Sequence, residues 1–220
     1  MGTEPVGLSR DLAPRGVMRA RTGQSDVAVW RSQGGVVSAW DNRCPHRGMR
    51  LSHGFVRGES LACAYHGWHY SCSGQCHYIP AHPELEPPAT IRPLIYSVIE
   101  STGVLWVNTS DNATPVLLPD ALCPVRSINI NSNVATVEAA FRQFSQVSAN
   151  LCHVAVRSLS DDPRVLSFST ADHNDAVVVL FQQPENNSVF CHVLAATELT
   201  TDQLIAVSRW CESIRRQAET

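Results

Sequence analysis

Short apolar runs broken by turn residues fill the first half of the chain. Residues 26–31 read DVAVWR and residues 36–40 read VVSAW, and the SQGG between them predicts a β-hairpin. SLACAY (60–65) runs into HGWHY (66–70), and SCSGQ (71–75) reads as a turn leading to CHYIP (76–80). PLIYSVIE (93–100) and GVLWVN (103–108) predict a second hairpin. The pattern then changes. VEAAFRQFSQVSANL (137–151) reads as helix, and RVLSFST (164–170), AVVVLFQQ (176–183) and SVFCHVLAATEL (188–199) read as strands. The last segment, residues 200–219, places Leu204, Val207, Trp210 and Ile214 on one helical stripe, and Thr200 with Gln203 fits a capping box.

The fold class expected is α+β: a flexible lead-in over residues 1–15, an all-β domain over 16–110, a Pro- and Asp-rich linker over 111–124, and a small sheet-plus-helix domain over 125–220. Composition changes little in this picture. The 220 residues carry 44% hydrophobic and 17% charged residues, as an ordinary globular protein does. The net charge of −3 offers nucleic acid no basic surface, although all 17 cationic residues are arginine. No apolar run reaches membrane-span length, and the N-terminus has neither a signal-peptide core nor a myristoylation pattern. The compartment expected is the cytoplasm, where eight reduced cysteines favour metal binding over disulfides.

Four residues carry the candidate chemistry. Cys44 and His46 form one hook; Cys63 and His66 form a second after 16 intervening residues. A zinc ion accepts Cys2His2, but zinc fingers pair like ligands locally. A Rieske [2Fe–2S] cluster needs two Cys on one iron and two His on the other, which two mixed hooks supply directly. Cys72 and Cys76 read as small residues of a hairpin.

The segment CPHRGMRLSHG followed by LACAYHGWHYSCSGQCHYIPA resembles the Rieske part of the Rieske non-haem iron oxygenases, the α subunits of aromatic-ring hydroxylases and demethylases. The resemblance runs over about residues 16–108, through IPA and YSVIESTGVLWVN. Met49 stands where the cytochrome bc type of Rieske protein has the first cysteine of an extra disulfide. The resemblance implies a cluster held by Cys44, Cys63, His46 and His66, with the two imidazoles at the protein tip. It implies glycines, Gly48 and Gly67, that let the backbone approach the cluster, and a shield of Tyr65 and Trp68 that serves packing equally well. Arg43, Arg47, Arg50 and Arg57 suit the steering of an acidic ferredoxin or flavin reductase as electron donor, or a solvated loop face.

The same resemblance implies a following catalytic domain with a mononuclear Fe(II) on a 2-His-1-carboxylate triad. His153 matches the first histidine, Asn150 stands where the bridging acid belongs, Ser158 stands at the second histidine, and Glu212 is the candidate carboxylate. His173 and His192 are alternative ligands. Two readings follow. One is an electron-transfer protein with a trimmed catalytic-like domain that serves packing, homo-oligomerisation or an oxygenase partner. The other is a compact oxygenase with an atypical iron site.

Overall fold

The computed structural model describes residues 3–23, 25–108, 117–143, 146–148, 151–152, 155–157, 164–170 and 176–220. The chain divides into two units, residues 1–100 with 105–113, and residues 101–104 with 114–220.

The first unit carries ten strands: β1 (Thr3–Leu8), β2 (Val17–Thr22), β3 (Ser25–Arg31), β4 (Val37–Asp41), β5 (Phe55–Arg57), β6 (Ser60–Ala62), β7 (His69–Ser71), β8 (Cys76–Tyr78), β9 (Ile95–Ser101) and β10 (Val104–Asn108). Six form a sheet in the order β1-β10-β9-β4-β3-β2, and four form a second sheet, β5-β6-β7-β8. The hairpin read at SQGG is β3–β4, with Arg31 opposite Val37 and Trp30 opposite Ser38. The run Val27–Trp30 is apolar without alternation because β3 is covered on both faces. Val27 and Val29 pack with Ala39, Leu105 and Val107, whereas Ala28 and Trp30 pack with Trp40, Leu61 and Tyr70.

A flexible lead-in was expected over residues 1–15, but from Thr3 onward this segment is structured. β1 is an edge strand beside β10, and Val6, Leu8 and Leu12 are buried. Pro5 and Gly7 disguise it, since both punctuate loops, yet an edge strand tolerates a missing N–H. Arg31 fastens the turn that follows, reaching the Leu12 carbonyl at 2.8 Å and Glu100 at 2.9 Å.

The second unit has β11 (Leu122–Ile130), α1 (Val134–Gln143), β12 (Gln146–Ser148), β13 (Leu151–Cys152), β14 (Ala155–Arg157), β15 (Val165–Ser169), β16 (Val177–Glu185), β17 (Ser188–Ala196) and α2 (Thr201–Ala218). Five strands form an antiparallel sheet in the order β11-β17-β16-β15-β14. The helix expected over 137–151 begins earlier and ends earlier. Asn133 starts it, its side-chain oxygen accepting the Thr136 N–H at 2.9 Å. Beyond Gln143 the serines and β-branched Val147 favour extended backbone, and β12 follows. The helix α2 carries the capping box read from Thr200 and Gln203, with the Thr200 N–H donating to Gln203 at 2.8 Å.

One sheet face meets both helices. Val177, Val179 and Phe181 of β16 and Val189, Cys191 and Val193 of β17 share a core with Phe141 of α1 and Val207, Trp210 and Ile214 of α2. Trp210 is its hub: its ring lies 5.2 Å from Phe141 and 5.2 Å from Phe168, both edge to face. Trp210→Ala is expected to cost about 3–5 kcal/mol, read as a lower denaturation midpoint with an unchanged slope.

Candidate iron–sulfur centre

The two hooks fold as the same turn. In the first, the Gly48 N–H donates to the Cys44 carbonyl at 2.8 Å, and the Cys44 N–H donates to the Met49 carbonyl at 2.8 Å. In the second, the Gly67 N–H donates to the Cys63 carbonyl at 3.0 Å, and the Cys63 N–H donates to the Trp68 carbonyl at 3.0 Å. Both turns close on a left-handed residue, Gly48 at φ 73° and Gly67 at φ 69°, a conformation glycine adopts without steric cost. The different Cys-to-His spacing thus hides one shared five-residue loop in which the histidine moves by one position.

The second hook joins β6 to β7 within the four-stranded sheet. The first is clamped by Asn42, which is fully buried. Its side chain donates to Asp26 at 3.1 Å and accepts the Ser52 N–H at 2.7 Å, and its carbonyl accepts the Leu51 N–H at 3.1 Å. One residue therefore holds both ends of the loop that presents Cys44 and His46. Burial tends to raise the Asp26 carboxyl pKa, but Arg19 at 2.7 Å, Asn42 and Arg50 at 3.4 Å outweigh it and hold it below its ordinary value. Nothing in the sequence marked Asn42, since its neighbours only become neighbours when the loop returns.

The four ligand candidates come together and separate by element. Cys44 and Cys63 are buried, close enough for the Cys44 sulfur to act electrostatically on the Cys63 thiol. Burial pushes the Cys63 thiol pKa up and Cys44 adds to this, while the backbone N–H groups of Tyr65 and His66 face the sulfur and oppose it. Two adjacent buried thiolates would need a cation to offset their charge, and iron would supply it. The imidazoles of His46 and His66 lie outward, their ring centroids 4.5 Å apart. Nδ1 of His46 is buried with no hydrogen-bond partner among the described residues, as an atom reserved for a metal is. Burial, with help from His66 and Arg47, holds the His46 ring below its ordinary pKa, so it is neutral as ligation requires.

Among the described residues no three Cys, His, Asp or Glu side chains converge on one ion-sized point. A two-and-two division fits a dinuclear cluster, in which each iron takes two protein ligands, better than a zinc ion ringed by four. The residues present therefore fit a [2Fe–2S] cluster, which Cys44 and Cys63 would hold at one iron and His46 and His66 at the other.

The surrounding rings take distinct places. Trp68 of the second hook stacks on His46 of the first at 4.1 Å and 8°. Tyr65 covers His66 at 3.8 Å and is itself exposed. Tyr70, which sequence reading passed over, is fully buried with its hydroxyl 3.1 Å from the Cys44 sulfur, and Trp40 packs edge-on against it at 6.3 Å. Burial holds its phenol pKa far above the ordinary value, and the Cys44 sulfur adds to this, so it stays protonated and able to donate. Cys76 also belongs to this core, whereas Cys72 lies half-buried at its border.

Among the residues matched to a second iron, His153, Asn150, Ser158 and His173 lie outside the described residues. Glu212 is described. Its carboxylate lies 2.5 Å from Arg215, 3.6 Å from Arg216 and 4.0 Å from Arg126, which hold its pKa low. His192 is buried on β17 with Nδ1 2.9 Å from the Ser127 hydroxyl.

A family model for the Rieske [2Fe-2S] domain matches residues 3–92. The first unit is a Rieske [2Fe–2S] domain, and the chain is related to the Rieske non-haem iron oxygenases. It is 36% identical over 137 residues to oxidoreductase NdmD of Pseudomonas putida, an alignment covering 61% of this chain and 23% of that protein. It is 41% identical over 112 residues to 4beta-methylsterol monooxygenase of Methylococcus capsulatus, covering 49% of this chain and 30% of that protein. The chain therefore spans less than a third of the length of these relatives. Among solved structures, NdmA of Pseudomonas putida superposes with a TM-score of 0.74 over 100% of this chain and 81% of its own, at 17% identity. That likeness establishes the fold of both units. No helix among the described residues is long and apolar enough to cross a membrane.

Two predictions follow from the ligand geometry. His66→Cys adds a negative charge at the imidazole side, so voltammetry should show the potential falling toward the all-cysteine range near −400 mV. Tyr70→Phe removes a donor whose bond strengthens as the sulfur gains charge on reduction. The potential should drop by ~40 mV, the equivalent of roughly 1 kcal/mol for one electron, with the visible spectrum kept.

Proposed function

We propose that this chain is a Rieske iron–sulfur redox protein that passes single electrons in an oxygenase-type system. The observation that carries the reading is the division of the ligand set, with buried sulfurs behind and imidazoles at the surface. When bound there, a [2Fe–2S] cluster with two neutral imidazole ligands supplies one-electron chemistry at roughly −150 to +300 mV. The chain's own residues do the rest. Cys44 and Cys63 anchor from inside, His66 offers the exposed edge, and Trp68 screens His46 from water. The donor we assign is a ferredoxin or flavin reductase. Arg47 and Arg57 are exposed beside the ligand loops and Arg43, though near Asp41, is exposed with them, so they favour an acidic one. Arg50 is tied to Asp26 at 3.4 Å. The second unit serves homo-oligomer or oxygenase-partner contacts in this reading. Cys44, Cys63, Cys72, Cys76, Cys123, Cys191 and Cys211 form no disulfide, which suits a reducing cytoplasm.

A second reading has its own support. The likeness to NdmA extends across the whole chain, so the second unit has the fold of an oxygenase chain. In that reading the protein is a compact oxygenase that hydroxylates or demethylates a small organic substrate, with Fe(II) on His153 and further ligands. Glu212 would have to leave its three arginines to serve there. Iron and acid-labile sulfide per chain, measured on anaerobically purified protein, separate the two. Two irons with two sulfides are expected for the carrier. Three irons with two sulfides, with one iron lost in His153→Ala, would replace it with the oxygenase.

A further inference from the structure

The two hooks share a turn, but different forces close their bases. The second is continuous with the β6–β7 ladder, in which Ala62 stands opposite His69 and Leu61 opposite Tyr70. Below the first hook the ladder shrinks to an isolated bridge, Arg43 opposite Arg50. Like charges directly opposite one another in an antiparallel pair repel. The base of the first hook therefore carries a repulsion where the second carries strand pairing and apolar packing. A loop closed by so little is the part of a fold that opens locally, without the rest unfolding. Opening here would displace Cys44 and His46 together.

Asp26, the second residue of β3, offsets the repulsion from outside the loop. Its carboxylate lies 3.4 Å from the Arg50 guanidinium and is held on its other side by Arg19 of β2 at 2.7 Å. Asp41 lies near enough to Arg43 for the two charges to interact. Asp26 also grips Asn42 twice. The Asn42 N–H donates to the Asp26 carbonyl at 2.9 Å, and the Asn42 side-chain nitrogen donates to the Asp26 carboxylate at 3.1 Å. Asn42 in turn accepts the Ser52 N–H at 2.7 Å on its side-chain oxygen and the Leu51 N–H at 3.1 Å on its carbonyl. Asn42 is fully buried, so each of these bonds would be costly to leave unmade. We propose that Asp26 is a positioning residue of the iron–sulfur site. Acting through Arg50 and Asn42, it closes the base of the first hook and keeps Cys44 and His46 in register with Cys63 and His66. Its carboxylate acts as a charge and as an acceptor, not as an iron ligand. The inference holds for either reading of the function, because both need the same site.

The test is amide hydrogen exchange on the holo protein, with cluster loss to an iron chelator followed by visible absorbance. Asp26→Asn keeps the size of the side chain and an acceptor oxygen but loses the charge. In it the amides of Cys44, Gly48, Leu51 and Ser52 should exchange about tenfold faster, and cluster loss should speed by a like factor. The EPR lines of the reduced cluster should broaden as His46 samples more orientations. The Cys63 and Gly67 amides should exchange as in wild type. Adding Arg50→Gln removes the like-charge pair, and the double variant should return to within about twofold of wild type in exchange and cluster loss, with its EPR lines narrowed again. Val107→Ala, cut in the core on the other face of the six-stranded sheet, should lower the denaturation midpoint and leave cluster loss and the EPR lines unchanged. Wild-type exchange at the first hook of Asp26→Asn would overturn the proposal. So would equal acceleration at both hooks, the mark of a general loss of stability, or a double variant no better than the single one. If Asp26→Asn holds no cluster at all, the double variant decides: a restored cluster supports the role of Asp26, and a cluster still lost overturns it.

Discussion

Everything in the first unit turns on one electrostatic constraint: two cysteine sulfurs, which would have to carry negative charge to hold iron, lie near one another in an apolar core. Cys44 and Cys63 are each at most 3% exposed. Their burial among Leu51, Leu61, Tyr70 and Ile79 opposes ionisation, so the fold and the metal ions are energetically coupled. The chain meets the cost locally. Backbone N–H groups of Tyr65 and His66 point at Cys63, and the Tyr70 hydroxyl points at Cys44. Each of these donors is fixed by the turn or strand that carries it, and each favours negative charge on sulfurs that would ligate iron.

The same constraint shapes the loops. Both hooks close on a glycine N–H returned to the cysteine carbonyl, which leaves the following side chains free to project. The sheets then separate inside from outside. Trp30 and Trp40 meet at 5.0 Å and Trp40 backs Tyr70, forming a wall behind the sulfurs. In front, Trp68 flattens against His46 while His66 stays exposed. The two imidazoles are therefore unequal. Water and partners meet His66 first, because only its neighbour is roofed by an indole.

In the second unit, apolar packing takes the place that the metal site holds in the first. Phe141, Phe168 and Trp210 fasten the helices to the sheet. The opposite sheet face carries buried Ser167, Gln182 and His192. Arg126 spans from β11 to α2, donating to the Ser208 carbonyl at 3.0 Å and approaching Glu212. A carboxylate in such an arginine cluster contributes to helix docking.

The two Cys/His hooks, the β3–β4 hairpin and the capped final helix were legible along the chain because each is local. Cys-x-His and Cys-x2-His are spaced within single turns, SQGG sits between two apolar runs, and Thr200 caps a residue three positions away. Other features arise only when distant segments meet. β1 is a strand because β10 gives it an edge to pair with, and its Pro5 and Gly7 say the opposite locally. Asn42 became a clamp because Asp26 on one side and Leu51 with Ser52 on the other arrive from two separate places. Tyr70 became a sulfur partner across 26 residues of sequence. Glu212, a candidate ligand by its place on an amphipathic helix, is met in the fold by Arg126 of β11, which the linear order does not bring near it. The sequence by itself determined which atoms are available to bind iron. The tertiary structure decided which of them are buried, which stay exposed, and which are already engaged, because burial and charge pairing depend on neighbours that the linear order does not contain.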